Sequence, residues 1–536
     1  MVNWTKLTTN VYVISGWASI GGIMFGFDIG SNSGTIGTKQ YHEFFNNPDA
    51  LLQGGINGAL SAGCFVGALL SGWPADRFSR KYTLIGASAL FIIGSLLQSA
   101  ANGVPMLCAG RVINGLSVGV TSMVIPLYQS EVSPKEIRGR LVAIQQWSIT
   151  WGIFLAFWIQ TGCAHIEGTG AFRAPWAIQA IPAIILCAGM WAFPKSPRWL
   201  ADKGRMDEAI KVLADIHGDG DPNHPRVLVE VEEIKAVIKF DREQASHRYT
   251  DLFKPGIAYR VFLGVCLQIW QQLTGMNIIM FYVVFLFQQA GIGDSQESTL
   301  IASGVSYVLN VVMTIPAILF VDKWGRRPTL IFGALAMSSF LWIVGGLLTT
   351  GDWYIQMDPN ETNYGKWAVS LPNKETTNAV VTFVYLFVCS FAVTWGPLGW
   401  VYPAEIYPLR VRAMAVSLST AANWFFNWLL SFCVPMMMES LRFALYFLFA
   451  AFNLLMAIHV YISYPETKGF TLEEMNIVFE TNPRKKIDRA YVAARMKETL
   501  GADIENAEVN DVEQSGEKGE IGATQDSASG KKEEVV

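Results

Sequence analysis

Two charged side chains and three carboxamides stand in this sequence where water has little access. Asp28 lies in Phe25-Gly26-Phe27-Asp28-Ile29-Gly30, deep in one apolar run, and Arg111 lies in Gly110-Arg111-Val112-Ile113-Asn114-Gly115, within another. Ionisable groups in such segments are costly and are functional candidates by default. A carboxylate beside a guanidinium stays ionised; moved away from it, desolvation favours the protonated acid, so the pair can take up and release a proton. Gln271, Gln272 and Asn277 share a further apolar stretch. Carboxamides donate and accept hydrogen bonds at once, which suits a neutral ligand rich in hydroxyls. On a straight helix Asn277 would point away from both glutamines, since each residue turns by about 100°. A break at Thr274-Gly275 would turn all three inward.

These residues are carried by an unusually apolar chain of 536 residues, 51% hydrophobic and 16% charged, with mean hydropathy +0.30. A soluble domain carries about 25% charged residues. Segments of roughly 20 apolar residues, the length that crosses a bilayer, fall near 11–31, 55–73, 83–101, 105–128, 141–162, 174–193, 259–289, 299–320, 328–349, 379–407, 411–437 and 441–463. The first is too long for a signal-peptide core and contains Asp28. Six of the seven cysteines sit inside spans without metal-ligand spacing, so they read as small hydrophobes.

Lys and Arg concentrate in alternate short loops: Arg77/Arg80/Lys81, Lys135/Arg138/Arg140, Lys323/Arg326/Arg327 and Arg410/Arg412. The positive-inside rule makes those loops cytoplasmic, and an even number of spans places both termini there as well. The sequon Asn360-Glu361-Thr362 then falls outside, making Asn360 a glycosylation candidate. The expected organisation is a cytoplasmic N-terminus (1–10), a six-helix half (11–193), a helical cytoplasmic linker (194–258), a second six-helix half (259–463) and a cytoplasmic tail (464–536), disordered after about 480. The halves repeat. Glu131, Pro134 and Arg138 recur as Glu405, Pro408 and Arg412, and Asp76 and Arg80 recur as Asp322 and Arg326. Charges of opposite sign at neighbouring helix ends can pair when a face is closed and part when it opens, a two-state gate.

Several motifs resemble those of the sugar porters of the major facilitator superfamily. They are Gly72-Trp73-Pro74-Ala75-Asp76-Arg77-Phe78-Ser79-Arg80-Lys81, Pro194-Lys195-Ser196-Pro197-Arg198, Gln271-Gln272-Leu273-Thr274-Gly275-Met276-Asn277, Asp322-Lys323-Trp324-Gly325-Arg326-Arg327 and Pro465-Glu466-Thr467-Lys468-Gly469. Two positions depart from the family pattern: Ser79 where Gly is common and Lys195 where Glu is common. The resemblance implies an all-α membrane protein of twelve transmembrane helices in two six-helix halves, the major facilitator fold. It also implies that Gln146, Gln271, Gln272, Asn277, Asn310, Trp400 and Asn423 line a sugar site, with Phe25 and Trp424 close by. Proton-coupled members carry an aspartate and an arginine at the positions of Asp28 and Arg111, and facilitators carry an amide for the aspartate.

The expected function is therefore proton-coupled symport of a monosaccharide, glucose or xylose in type, by alternating access across the plasma membrane. Two other functions fit the same resemblance: facilitative uniport and sugar sensing without transport. No H-E-x-x-H, nucleophile elbow or phosphate-binding glycine loop is present, which argues against an enzyme. The expected partners are a small-molecule sugar and the lipid bilayer, with no nucleic acid, no cofactor beyond the coupling proton, and a monomeric state.

Overall fold

The computed structural model describes residues 8–36, 38–48, 50–243, 249–277, 279–280, 296–356, 366–472, 474–480, 491–492 and 494–495. Among them nine helices are long and apolar enough to cross a bilayer, and Leu52–Leu70 with Gly72–Phe78, bent by 47°, makes a tenth. The two other expected spans are shorter or more polar. Ile257–Leu273 ends after 17 residues, and Arg412–Leu441 carries Asn423 and Asn427. Asn360, residues 278 and 281–289 of the seventh expected span and most of the tail lie outside the described residues.

Helices start earlier than apolar counting suggests, at Arg80–Ser99, Arg138–Cys163 and Arg326–Leu348. Arg80 and Arg326 are buried with their charges paired to carboxylates, so they can open a helix inside the protein without standing in water. Several expected spans are broken, among them the sixth and the tenth. The sixth is Gly170–Ile178 followed by Ala180–Gly189, because Pro182 has no N–H for the carbonyl of Ile178. The tenth bends at Thr394 (φ −122°, ψ −85°) between Lys374–Val393 and Trp395–Ile406, where Pro397 leaves the carbonyl of Val393 unserved. A small antiparallel hairpin, Asp352–Gln356 paired with Lys366–Ser370, also departs from the all-α expectation.

In lipid, helices associate by close packing of small residues. A Cβ on Gly63 would lie 3.1 Å from the Cα of Gly115. Ala50–Leu70 therefore touches Val104–Val132, the bearer of Arg111, backbone to backbone. The linker helices Met206–His217 and Pro225–Glu243 form a separate apolar cluster with Trp199 and Leu200. It is tied to the first half where Arg198 donates to the carbonyl of Glu131 at 2.6 Å.

The repeat seen in the sequence extends to hydrogen bonds. Tyr128 donates to the carbonyl of Pro194 at 2.7 Å, and Tyr402 donates to that of Pro465 at 3.1 Å. This aligns Lys195 with Glu466. Ser79 (φ 85°, ψ 157°) and Gly325 (φ 90°, ψ 158°) likewise open corresponding helices. That backbone region is nearly confined to glycine and costs other residues about 1–3 kcal/mol. In the second half Glu466 accepts the N–H groups of Arg326 (2.9 Å) and Arg327 (3.1 Å), and a Cβ on Gly325 would lie 2.7 Å from Glu466 Oε2. In the first half Lys195 instead rests over the rings of Tyr82 and Trp199 at 5.5 and 5.8 Å. The side chain at 79 fills the space a carboxylate would need, so Ser79 and Lys195 form one linked departure. Ser79→Gly should raise stability by about 1 kcal/mol and Gly325→Ser should lower it by more, both read as shifts in thermal unfolding of the purified protein.

Candidate sugar site and gate

Ile257–Leu273 stops where the sequence suggested. Thr274 caps it, Gly275 follows at φ +89°, and the chain resumes as helix at Met276. Asn453 stabilises the break by donating to the carbonyl of Thr274 at 3.0 Å, as lipid-embedded backbone demands. The turn brings Asn277 back against Gln272, whose Oε1 accepts the Asn277 carboxamide.

One cavity between the halves is lined by all nine expected site residues: Phe25 and Gln146 from the first half, and Gln271, Gln272, Asn277, Asn310, Trp400, Asn423 and Trp424 from the second. Its polar wall is a connected amide network. Gln272 Nε2 donates to Asn423 Oδ1 at 2.9 Å, and Asn423 Nδ2 donates to Gln271 Oε1 at 2.8 Å and Gln268 Oε1 at 2.7 Å. Asn427 Nδ2 reaches Gln272 Oε1 at 3.2 Å, and Ser61 donates to Asn427 Oδ1 at 2.9 Å. Asn310 lines the same space, and its Oδ1 is buried without a hydrogen-bond partner among the described residues. The aromatic wall is ordered too. Phe25 meets Trp400 edge-on at 6.4 Å and lies tilted on Trp424 at 4.9 Å, and Trp400 donates its indole N–H to Gln146 Oε1 at 3.0 Å. Neutral amides facing flat rings can bind hydroxyls on one side and C–H faces on the other.

Gln268, Asn427 and Ser61 are structural participants that the sequence reading missed. The signal was present: Gln268 precedes Gln271 and Gln272 by three and four residues, and Asn427 follows Asn423 by four. That spacing puts them on one helix face.

Asp28 and Arg111 are both buried, on Ile20–Ile36 and Val104–Val132. They lie within electrostatic reach of each other, but Asp28 enters none of the ion pairs within 4.0 Å found among the described residues. Its Oδ2 is buried and makes no hydrogen bond. The guanidinium of Arg111 lies 6.0 Å from the ring centroid of Trp176.

The repeated charges assemble at one end of the bundle. Arg80 pairs with Asp76 at 3.0 Å and Glu131 at 2.9 Å; Arg326 pairs with Asp322 at 2.9 Å and Glu405 at 2.7 Å. Each of these sets lies within its own half. Arg138 and Arg412 lie at the same end, donating among their contacts to the carbonyls of Phe470 (3.4 Å) and Tyr407 (3.0 Å). Closure between halves uses other contacts. The backbone N–H of Arg140 donates to Asp322 Oδ2 at 2.9 Å, and Ser417 donates to the carbonyls of Ala68 and Leu69 at 2.7 and 2.9 Å. Gly139 lies against the Asp322 and Arg326 side chains, leaving no space there for a Cβ.

A family model described as sugar (and other) transporter matches residues 15–479. The MFS glucose transporter mfs1 of Aspergillus flavus is 46% identical over 486 residues, spanning 89% of this chain and 91% of that protein. The high-affinity glucose transporter of Kluyveromyces lactis is 42% identical over 476 residues, spanning 88% and 86%. Among solved structures, the MFS proton:xylose symporter XylE bound to 6-bromo-6-deoxy-D-glucose matches with a TM-score of 0.75 at 28% identity, over 88% of this chain and 99% of that one. With its paired halves, buried amide cavity and multiple apolar helices, this chain belongs to the sugar (and other) transporter family of multi-pass membrane proteins within the major facilitator superfamily.

Proposed function

We propose that this chain carries a monosaccharide of the glucose or xylose type across the plasma membrane together with a proton, by alternating access. The observation that carries this reading is the cavity itself: neutral amides and aromatic rings from both halves, among them Asn310, whose Oδ1 has no hydrogen-bond partner among the described residues. A sugar seated there touches both halves, so its binding energy can differ between the two closed states, the requirement for driving a conformational change. Twelve spans, cytoplasmic termini and a monomer accord with this proposal, and the charged end is then the cytoplasmic gate, here shut.

Proton coupling rests on Asp28. A buried carboxylate near Arg111, with one oxygen lacking a hydrogen bond, is cheaper to hold protonated whenever the arginine is drawn off. Protonation from outside would neutralise Asp28, release Arg111 and let the first half close over the sugar. The names of the relatives support glucose as cargo, and that of the structural neighbour supports coupling to protons.

Two experiments test this. In cells lacking other sugar carriers, a panel of hexoses and pentoses should produce uptake with external alkalinisation for at least one sugar. Asp28→Asn should abolish uphill, pH-driven accumulation while keeping downhill exchange. Uptake without alkalinisation would establish a uniporter, undiminished accumulation by the variant would show that Asp28 does not carry the coupling, and binding without uptake would establish a sensor. Separately, Gly139→Ala should disfavour the closed charged end by about 1–3 kcal/mol through overpacking against Arg326 and Asp322. The readout is faster thiol labelling of an added Ser417→Cys in detergent, over the background of the native cysteines; unchanged labelling would show that this contact does not control closure.

A further inference from the structure

Trp424 is 1% exposed, and its indole N–H is donor-only, so it needs an acceptor. That acceptor comes from the opposite half: Trp424 Nε1 donates to Ser122 Oγ at 3.1 Å. Ser122 sits where Val104–Val132 is opened by Pro126, which has no N–H for the carbonyl of Ser122. Gln145 Nε2 approaches that carbonyl at 3.5 Å instead. The hydroxyl proton of Ser122 is committed to the carbonyl of Gly119 at 2.9 Å. A hydroxyl with its proton so committed can only accept from the indole, which fixes the direction of the bond. Phe25, from the same half as Ser122, also packs against the Trp424 ring, at 4.9 Å between centroids.

We infer that Ser122 is a positioning residue for sugar binding: it holds the Trp424 ring in the cavity wall by a bond between the halves that forms only while the charged end is closed. Sugar affinity is thereby linked to gate position, since rocking the halves apart there removes the acceptor and frees the ring. The inference rests on the reading of the cavity as the sugar site.

The test is equilibrium binding of radiolabelled D-glucose and D-xylose to the purified full chain, together with KM and maximal rate of uptake in proteoliposomes. Ser122→Ala should weaken binding about tenfold, equivalent to about 1.4 kcal/mol, and raise KM with little change in maximal rate. Ser122→Thr, which keeps the acceptor, should restore wild-type affinity. Trp424→Phe should weaken binding by itself, and adding Ser122→Ala to it should produce no further loss. Equal losses in the Ala and Thr variants, unchanged affinity in Ser122→Ala, or full additivity with Trp424→Phe would overturn the positioning role. If Ser122→Ala is not recovered folded, Ser122→Cys, of similar size but a weaker acceptor, should show the same direction of effect, and wild-type affinity there would also overturn it. An unaltered affinity in Trp424→Phe would instead overturn the assignment of this ring to the sugar site.

Discussion

A backbone carbonyl inside a membrane must find a donor within the protein, and much of this structure follows from meeting that demand at its prolines. Pro403 cannot serve the carbonyl of Gly399, and Gln268 Nε2 donates to it at 2.7 Å. Gln271 Nε2 supplies the carbonyls of Trp395 and Gly396, each at 3.1 Å, just past the bend at Thr394. The same carboxamides turn their oxygens toward Asn423. Gln268, which serves the carbonyl left by Pro403, is thus joined through Asn423 to Gln271, which lines the cavity. Trp400, one residue beyond Gly399, inherits its position from these bonds. Irregular backbone is tolerated at this depth where it borders a cavity, and here its repair positions the cavity wall.

The charged end obeys a second version of the same rule. Arg80, Glu131 and Arg326 are almost wholly buried, and removing one partner from such a set costs about 3–5 kcal/mol by stranding the other charge. Each triad lies within one half, so its pairing does not itself bridge the halves, whereas the backbone N–H of Arg140 and the hydroxyl of Ser417 do. The first half is built with more strain at this point than the second, since Ser79 adopts a glycine-like conformation and Lys195 cannot supply the two acceptors that Glu466 gives to the backbone.

How much of this was legible in the sequence depended on range. The break at Thr274-Gly275 could be read from three amides that had to face one way, and the Asp76/Arg80 and Asp322/Arg326 repeats from spacing alone. The bends at Gln179 and Thr394 could have been read from Pro182 and Pro397, but hydropathy averaging smooths over single residues. Partner choice was beyond reach. That Glu131 pairs with Arg80, 51 positions away, or that Ser122 faces Trp424 across 302 positions, depends on how helices pack, which neither composition nor periodicity encodes. Gln146, Asn310, Trp400, Asn423, Trp424 and Phe25 came from family resemblance, because an isolated intramembrane amide or tryptophan serves packing as readily as binding.

The cavity's internal bonding bears on how firmly a carrier can hold its cargo. Gln271, Gln272, Asn277, Asn423 and Asn427 already satisfy one another. A sugar hydroxyl entering this network exchanges bonds more than it adds them, so each contact contributes about 0.5–1.5 kcal/mol net. Among the described lining residues Asn310 differs, since its Oδ1 has no hydrogen bond to give up. A network of exchangeable bonds draws its binding energy from many small contacts. That suits a protein that must release its ligand on the far side: a site satisfied only by sugar would be a trap, whereas one that closes on itself when empty can reset without cargo holding it open.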